Sequence, residues 1–433
     1  MNLSLFLARR AANNGQASFS QWILRIAVLA VALCMAVMLL TTALISGFKN
    51  EIGRKIFGFW GHIQVTDVNV NRTLEATPIK NSKTLTTDLS KLKSVNYEIP
   101  KTFAGFELGS TTTKITKGGV HHVQSFAMKP GIIKTKDNRI EGMVLKGVGR
   151  DFDWDFMQQY LMEGKPIEQP DTSAGHDILL SQQTATRLKL SVGDKLMVYF
   201  VQNGDQLKRV FRVSGLYKTG LEEYDKKIAL VDIRHIQQLQ GWAANQVDGL
   251  EIFLDDYHDI APITEHIYSN VLPDNLYAQT IREKFPAIFE WLDLQDVNEV
   301  VIIALILLVS IINMMTALLI LILERTNTIG ILKALGSTDW EIRKIFLYHA
   351  AWIIGKGLFW GNFIGLGICF LQSKFKFIRL NEADYYLSYA PIEVNGFTVL
   401  VLNLLTLVII LIALLIPSYL VTRISPVKAI RFK

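Results

Sequence analysis

The sequence predicts a membrane protein with four transmembrane α-helices and a large α+β extracytoplasmic domain inserted between helices 1 and 2. Three long stretches contain no Asp, Glu, Lys or Arg, namely residues 26–48, 300–323 and 394–422. Each can cross a hydrocarbon core of about 30 Å as a helix, which takes roughly 20 residues. A fourth apolar stretch, 346–372, contains only Lys356 from that set. A wholly soluble, disordered or small disulfide-rich protein is therefore excluded.

The net charge of +6 is distributed unevenly along the chain. Residues 49–299 contain 30 Lys and Arg against 33 Asp and Glu, whereas the remaining residues contain 15 against 6. The basic excess therefore belongs to the segments that flank the predicted membrane helices, and such positive charge is typical of the cytoplasmic side. A nucleic-acid partner is not expected, because it would require a basic stripe on the folded domain.

The apolar and polar stretches divide the chain into nine predicted segments. These are a cytoplasmic interfacial amphipathic helix (1–21), transmembrane helix 1 (22–48), the extracytoplasmic domain (49–298), transmembrane helix 2 (299–323), a cytoplasmic segment (324–345), transmembrane helix 3 (346–372), an extracytoplasmic loop (373–394), transmembrane helix 4 (395–421) and a cytoplasmic tail (422–433). Four spans place both termini on one side of the membrane. The counts of Lys and Arg in the loops predict that this side is the cytoplasm.

The inserted domain contains short strand-like runs mixed with helical ones. The clearer strands are Ile63–Val65, Met143–Gly147, Lys195–Val201, Arg209–Ser214, Lys227–Val231 and Gly249–Leu254, and the clearer helices are Ser181–Leu190 and Ile260–Val271. Asn203-Gly204-Asp205 lies between two of the strands and predicts a β-hairpin. Residues 49–299 have no cysteine, so no disulfide is expected to stabilise this domain.

Three features of the membrane helices suggest helix contacts or a path for substrate. Gly357, Gly361 and Gly365 in helix 3 allow another helix to approach closely, within the chain or at a dimer interface, and packing within the chain is favoured. On helix 2, Ser310, Asn313 and Ala317 are predicted to share a face, and a mid-membrane Asn usually faces protein or a cavity.

The candidates for lining a path that accepts acyl chains are Met35, Met38, Thr42, Asn313 and Met314. Methionine is adaptable enough for that role, but ordinary helix packing is the alternative for each residue.

The segment between helices 2 and 3 predicts a rigid docking surface. Gly336 allows the chain to reverse, and Thr338 with Glu341 has the T-x-x-E spacing of a capping box that starts a helix over Trp340–Ile354. The segment combines mixed charge with an exposed aromatic residue. We expect Trp340→Ala combined with Arg343→Glu to abolish docking while leaving the protein folded.

Patterns that would indicate catalysis or metal binding fail. No G-x-x-x-x-G-K-[ST] occurs in the sequence, so the chain is not expected to bind ATP or to be an enzyme. Asp151, Asp153 and Asp155 resemble the start of an EF-hand loop, but Phe156 stands where that loop needs Gly. His121 and His122 are adjacent without a second ligand pair, which favours a surface or strand position over a metal site.

Several motifs resemble those of the FtsX-like ABC permeases, and within them the lipoprotein-releasing permeases of the LolC/LolE type. The residues that carry the resemblance are 44–48, 178–188, 192–196, 213–215, 312–324, 329–337, 342–346 and 425–431. The resemblance implies an inner-membrane permease with a periplasmic domain that works as a homodimer or heterodimer. It implies a pair of cytoplasmic ABC ATPase subunits that bind ATP and Mg, lipoprotein cargo from the membrane lipid, and a periplasmic lipoprotein chaperone. The chain itself is expected to bind no cofactor.

The resemblance also implies roles for particular residues. The implied ATPase-coupling residues are Lys333, Gly336, Ser337, Asp339, Trp340, Arg343 and Lys344. Two departures from the family pattern are the short hairpin at 201–209, where relatives have a longer hairpin that holds the chaperone, and the absence of an acidic residue near Thr328. The alternatives are a mechanotransmission permease that controls a periplasmic hydrolase or sensor without transport, and efflux of small hydrophobic compounds.

Overall fold

A computed structural model describes residues 19–69, 77–103, 106–171, 173–202 and 205–423. The predicted interfacial helix over 1–21 therefore lies outside the described residues up to residue 18, as does the predicted tail from residue 424 onwards. The chain divides into two compact units. The membrane unit comprises residues up to 51, 290–379 and from 389 onwards, and the inserted domain comprises 52–289 and 380–388.

The helices and strands of the described residues are as follows. The helices are α1 (Phe19–Trp60), α2 (Lys83–Ser90), α3 (Trp154–Tyr160), α4 (Gln182–Leu188), α5 (Glu222–Asp225), α6 (Ile233–Gln240), α7 (Ile260–Asn270), α8 (Ile281–Lys284), α9 (Pro286–Glu324), α10 (Thr326–Ala334), α11 (Asp339–Phe375), α12 (Glu382–Tyr385), α13 (Gly396–Ala413), α14 (Leu415–Ser418) and α15 (Leu420–Arg423). The strands are β1 (Ile63–Asp67), β2 (Ile79–Lys80), β3 (Asn96–Phe103), β4 (Phe106–Ile115), β5 (Val120–Lys134), β6 (Ile140–Val148), β7 (Leu161–Gly164), β8 (Asp177–Ser181), β9 (Lys195–Gln202), β10 (Asp205–Tyr217), β11 (Ile228–Asp232), β12 (Gln246–Val247), β13 (Gly249–Leu254) and β14 (Leu276–Thr280).

Four helical stretches in the described residues are long and apolar enough to cross a membrane. They are α1 from Trp22, α9, α11, and the run from α13 to Thr422. The inserted α+β domain lies between the first and the second of them, so the predicted fold class is confirmed. Both α1 and α9 are longer than their apolar runs, because α1 continues past Phe48 to Trp60 and α9 begins at Pro286.

The membrane unit has one large cluster of buried apolar side chains. Methionines and branched aliphatic residues from all four long helices contribute to it, among them Met35, Met314, Ile354, Leu402 and Ile410. Because lipid tails are as apolar as these side chains, close packing of the helices is the main source of their association.

The inserted domain is built on a ten-stranded mixed sheet. Its order is β14-β1-β13-β5-β6-β11-β8-β10-β7, and β9 pairs with both β10 and β5. The double pairing of β9 closes β5, β6, β11, β8, β10 and β9 into a ring of paired strands. Fully buried side chains such as Ile133, Leu145, Val198, Phe211 and Ala229 form its core.

All six predicted strands and both predicted helices of this domain are confirmed. The predicted hairpin is also confirmed, since β9 and β10 are antiparallel with Gln202 opposite Asp205. Asn203 and Gly204, which connect them, lie outside the described residues. Strand β5 and the separate β3–β4 pair were not predicted, because polar residues, Pro100, Pro130 and Gly131 interrupt their apolar patterns.

Candidate functional site

Residues 331–344, termed here the elbow, comprise the end of α10, the connection to α11 and the first turns of α11. The chain turns sharply within the elbow at a glycine. Gly336 has a φ of +91°, a conformation that other residues rarely adopt. Thr338 caps α11 in the predicted way: its Oγ1 accepts a hydrogen bond from the Glu341 N–H at 3.3 Å, and its own N–H donates to Glu341 Oε2 at 2.9 Å. The predicted elbow helix and transmembrane helix 3 are one continuous helix, so a displacement of the elbow would act directly on the membrane span.

Two of the predicted coupling residues face the protein itself. Lys333 Nζ lies 2.8 Å from Asp339 Oδ1 and donates to the Thr422 carbonyl at 3.3 Å. Arg343 donates from Nε to Ser418 Oγ at 3.1 Å and from Nη2 to the Leu415 carbonyl at 3.2 Å. These bonds attach the elbow to α14 and α15. Arg343→Glu is therefore expected to weaken the attachment of the elbow to α14, because a carboxylate at this position would face the Leu415 carbonyl oxygen, and the folding of this variant stays a prediction.

The outer surface of the elbow is apolar and aromatic. The Trp340 side chain is 50% exposed, with the Arg343 guanidinium 5.3 Å and the Lys344 ammonium 5.5 Å from its ring. Leu335 is 78% exposed, more than any other large hydrophobic residue in the described chain. Gly336 and Asp339 are also exposed, and Ser337 is half-buried. Leu335 was not among the predicted coupling residues, although its position directly before the glycine reversal is a signal in the sequence.

The three glycines of α11 lie against α1 of the same chain. A Cβ at Gly357 would lie 2.6 Å from Val31 Cγ1, and one at Gly361 would lie 2.6 Å from Met35 Cβ. At Gly365 the nearest atom, Ala36 Cα, would lie at 3.1 Å. Side chains at these positions would push the two helices apart, so the glycines permit their close contact.

The candidate path residues do not form one exposed surface. Met35, Met38 and Met314 are at most 1% exposed, and Thr42 is 7% exposed. Ser310, Asn313 and Ala317 lie on one side of the continuous helix α9, as predicted, but Ser310 and Ala317 are buried whereas Asn313, at the edge of this face, is exposed. The buried stripe follows the i, i+4, i+7 spacing through Ser310, Met314 and Ala317, and Asn313 falls one residue short of it.

The acidic and histidine motifs of the inserted domain have structural roles. The Asp151 carboxylate accepts hydrogen bonds from the Ser125 N–H at 2.6 Å and from Ser125 Oγ at 2.8 Å, and Asp153 caps α3. His121 and His122 lie on β5, as expected, and His122 Nε2 is 2.7 Å from the Asp151 carbonyl oxygen. The described residues contain no group of three or more His, Cys, Asp or Glu that could hold a metal ion.

Comparison with known proteins identifies the membrane unit. Residues 300–426 match the FtsX-like permease C-terminal domain. This C-terminal part of the chain is therefore similar to an FtsX-like permease domain. The matched range contains the elbow and the three glycines of α11.

Relatives extend the similarity to the inserted domain. The lipoprotein-releasing system transmembrane protein LolC of Xylella fastidiosa (strain 9a5c) is 23% identical over 446 residues, which cover 100% of this chain and 98% of that protein. The LolE protein of Haemophilus influenzae (strain ATCC 51907) is 24% identical over 277 residues, covering 58% of this chain and 64% of LolE. The extracellular domain of the ABC-type transporter YknZ from Gram-positive bacteria aligns with 50% of this chain and 99% of that domain, at 13% identity and a TM-score of 0.31. The predicted resemblance to FtsX-like permeases of the LolC/LolE type is confirmed.

Proposed function

We propose that this chain is the permease subunit of an ABC transporter that releases lipoproteins from the inner membrane towards the outer membrane. The observation that carries the proposal is the similarity to LolC over the whole chain. ATP hydrolysis takes place in a separate cytoplasmic ATPase, because the sequence has no phosphate-binding loop.

The exposed surface of the elbow is the proposed contact with this ATPase. Leu335 and Trp340 supply apolar anchors of the kind that dominate protein interfaces. Lys333 and Arg343 have a different role in this proposal, since they hold the elbow on α14 and α15. A movement of the ATPase would reach the membrane through α11, which is continuous from Asp339 to Phe375.

Cargo is proposed to enter beside α1 and α9 in a dimer of this chain with a second permease subunit. Met35, Met38, Thr42 and Met314 are buried within one chain, so acyl chains would reach them only after these helices separate. Asn313 is already exposed, on the same helix as the exposed Val309 and Ile312. Acyl chains would meet Asn313 first and the methionines second.

The proposed orientation places both termini and the elbow in the cytoplasm and the inserted domain in the periplasm. The distribution of Lys and Arg along the sequence supports it. The β9–β10 hairpin is connected by two residues only, 203 and 204, so we assign the chaperone contact to the partner permease subunit. Labelling of single cysteines placed at Ser337 and at exposed Thr112, in a Cys34→Ala/Cys369→Ala background, tests the orientation with a membrane-impermeant maleimide on intact cells.

Reconstitution tests the function. The permease and its copurifying ATPase are placed in liposomes with an acylated lipoprotein, and the cargo released to the soluble fraction is measured with ATP and with a non-hydrolysable analogue. We expect release of the acylated cargo with ATP only. A matched cargo whose acylated cysteine is replaced by alanine has no membrane anchor, so its amount in the soluble fraction should be the same with ATP and with the analogue. ATP hydrolysis without release, together with capture of a periplasmic hydrolase, would overturn the proposal in favour of mechanotransmission.

A further inference from the structure

A cavity of about 560 Å³ opens on the inserted domain beside β8, β9 and β10. Its lining includes the apolar side chains of Pro170 and Val210, two cations, Lys195 and Arg212, and two carboxylates, Glu168 and Asp177. Small-molecule sites in proteins have volumes of about 300–1,000 Å³, with an apolar lining and a few placed polar groups. This cavity has both the size and the composition of such a site.

The two cations are directly opposite each other on neighbouring strands. Lys195 on β9 pairs with Arg212 on β10 in the antiparallel register. Like charges at directly opposed positions destabilise a sheet. Two opposed cations beside a cavity are therefore unfavourable for folding. Residues that are unfavourable for folding are typical of functional sites.

Only one of these cations is compensated by a neighbouring carboxylate. Asp177 Oδ1 accepts from Arg212 Nη2 at 2.9 Å and from Nε at 3.2 Å. Within the described parts of the chain, Lys195 has no side-chain hydrogen bond and no ion pair, and the Glu168 carboxylate, which also lines the cavity, forms no ion pair with either cation. The exposed Lys195 ammonium is therefore available to an anion from solution.

A buried polar atom lies behind the apolar lining. His235 is 3% exposed, and its Nε2 is 2.8 Å from the Gly175 carbonyl oxygen. Its Nδ1 has no hydrogen-bond partner among the described residues. The ring packs 4.9 Å from Phe211 and 5.5 Å from His176, both of which line the cavity. Buried polar atoms are normally satisfied, so an unpartnered one beside a cavity is a second sign of a ligand site.

We propose that this cavity binds a small amphiphilic anion, with a carboxylate or phosphate held by Lys195 and Arg212 and an apolar body against Pro170 and Val210. The site is separate from transport: it requires neither the ATPase nor the lipoprotein. The same chemistry is offered by a free carboxylic acid and by the phosphate of a lipid headgroup, and the two sources can be distinguished by experiment.

Binding is measured on the full chain in nanodiscs by isothermal titration and by saturation-transfer NMR. The probes are phenylacetate, phenyl phosphate and the uncharged phenylacetamide, with empty nanodiscs to subtract partitioning into lipid. We expect saturable binding of at least one of the two anions and at least tenfold weaker binding of phenylacetamide, because the amide cannot form the charge-assisted bonds. Preference for phenylacetate indicates a carboxylic acid ligand, and preference for phenyl phosphate, with competition by glycerol 3-phosphate, indicates a headgroup.

Three variants locate the site. Lys195→Gln is expected to weaken binding about tenfold, which is the effect of losing one charge-assisted hydrogen bond. Arg212→Gln should act in the same direction, but it also removes the partner of Asp177, so Lys195→Gln is the decisive variant. Lys208→Gln on β10 lies outside the cavity and is the matched control. Binding of phenylacetamide equal to that of the anions, or equal affinity in the Lys195→Gln and Lys208→Gln variants, would overturn the proposal.

Discussion

Lys146 and Glu251 form an ion pair at the centre of the inserted domain, with 2.7 Å between Nζ and Oε1 and neither side chain more than 1% exposed. Lys146 also donates to the Phe59 carbonyl at 2.7 Å, and Gln124 donates to Glu251 Oε2 at 2.8 Å. Phe59 lies near the end of α1. The pair therefore fixes the last turn of α1, within this domain, to strands β6 and β13.

Removing one partner of this pair is expected to destabilise the domain strongly. Glu251→Gln keeps the shape of the side chain but leaves the Lys146 ammonium buried without a carboxylate, and burial already lowers the pKa of Lys146. We expect the free energy of unfolding to fall by about 3–5 kcal/mol. A urea titration in which unfolding is monitored through hydrogen exchange of the β6 and β13 amides measures this change in the free energy of unfolding.

The control is an ion pair at the surface of the same domain. Arg150 and Asp171 are 59% and 89% exposed, so Asp171→Asn should leave the free energy of unfolding nearly unchanged. If Glu251→Gln costs no more than Asp171→Asn, the buried pair does not hold the domain together.

Local patterns in the sequence predicted local structure well. Thr338 and Glu341 predicted their capping box because its donors and acceptors lie within one turn of helix. The Lys146–Glu251 pair was not predicted, because 105 residues separate its members and only the sheet topology brings them together. The same holds for the elbow: the sequence indicated a docking segment, but only the folded chain shows that Arg343 contacts Ser418 while Leu335 is exposed.

The stability of the inserted domain should depend on pH through Asp248. Burial raises the pKa of this carboxyl to about 6, while the Met128 N–H, which donates to it, and Lys129 oppose the shift. The unfolded value is about 3.9, so the folded state binds the proton more tightly. The free energy of unfolding should therefore fall as pH rises from about 4 to about 6, and stay low above that range.

The variant Asp248→Asn tests this dependence. It keeps an oxygen that can accept from the Met128 N–H but cannot ionise, so it should be more stable than the wild type at pH 7.5 and nearly equal to it at pH 4. Thermal unfolding of the full protein across this pH range measures the difference. A wild-type decrease in stability between pH 4 and 6 that persists in Asp248→Asn would assign the effect to another group.

Trp340 and Arg343 should respond differently to substitution, although both lie on the elbow. Trp340→Ala removes an exposed side chain, so we expect an unchanged melting temperature and a loss of ATPase stimulation by roughly tenfold, the usual effect of removing an interface anchor. Arg343→Ala should lower the free energy of unfolding of the membrane unit by about 1–2 kcal/mol, because it breaks the bonds to Ser418 and Leu415. Thermal unfolding and ATPase rates on the same samples separate the two effects, and an unstable Trp340→Ala variant would contradict the assignment.

The contact between α11 and α1 provides a comparison within a single helix. A Cβ at Gly361 would lie 2.7 Å from the Ala32 carbonyl oxygen, whereas a Cβ at Gly367 would meet nothing within 4 Å. Gly361→Ala should therefore cost about 1–3 kcal/mol through overpacking. Gly367→Ala should be neutral or slightly stabilising, since alanine restricts the unfolded chain and favours the helix. Thermal unfolding of both variants in one detergent decides the matter: equal effects would mean that α11 and α1 are not in close contact at Gly361, and the glycine spacing would then need another explanation.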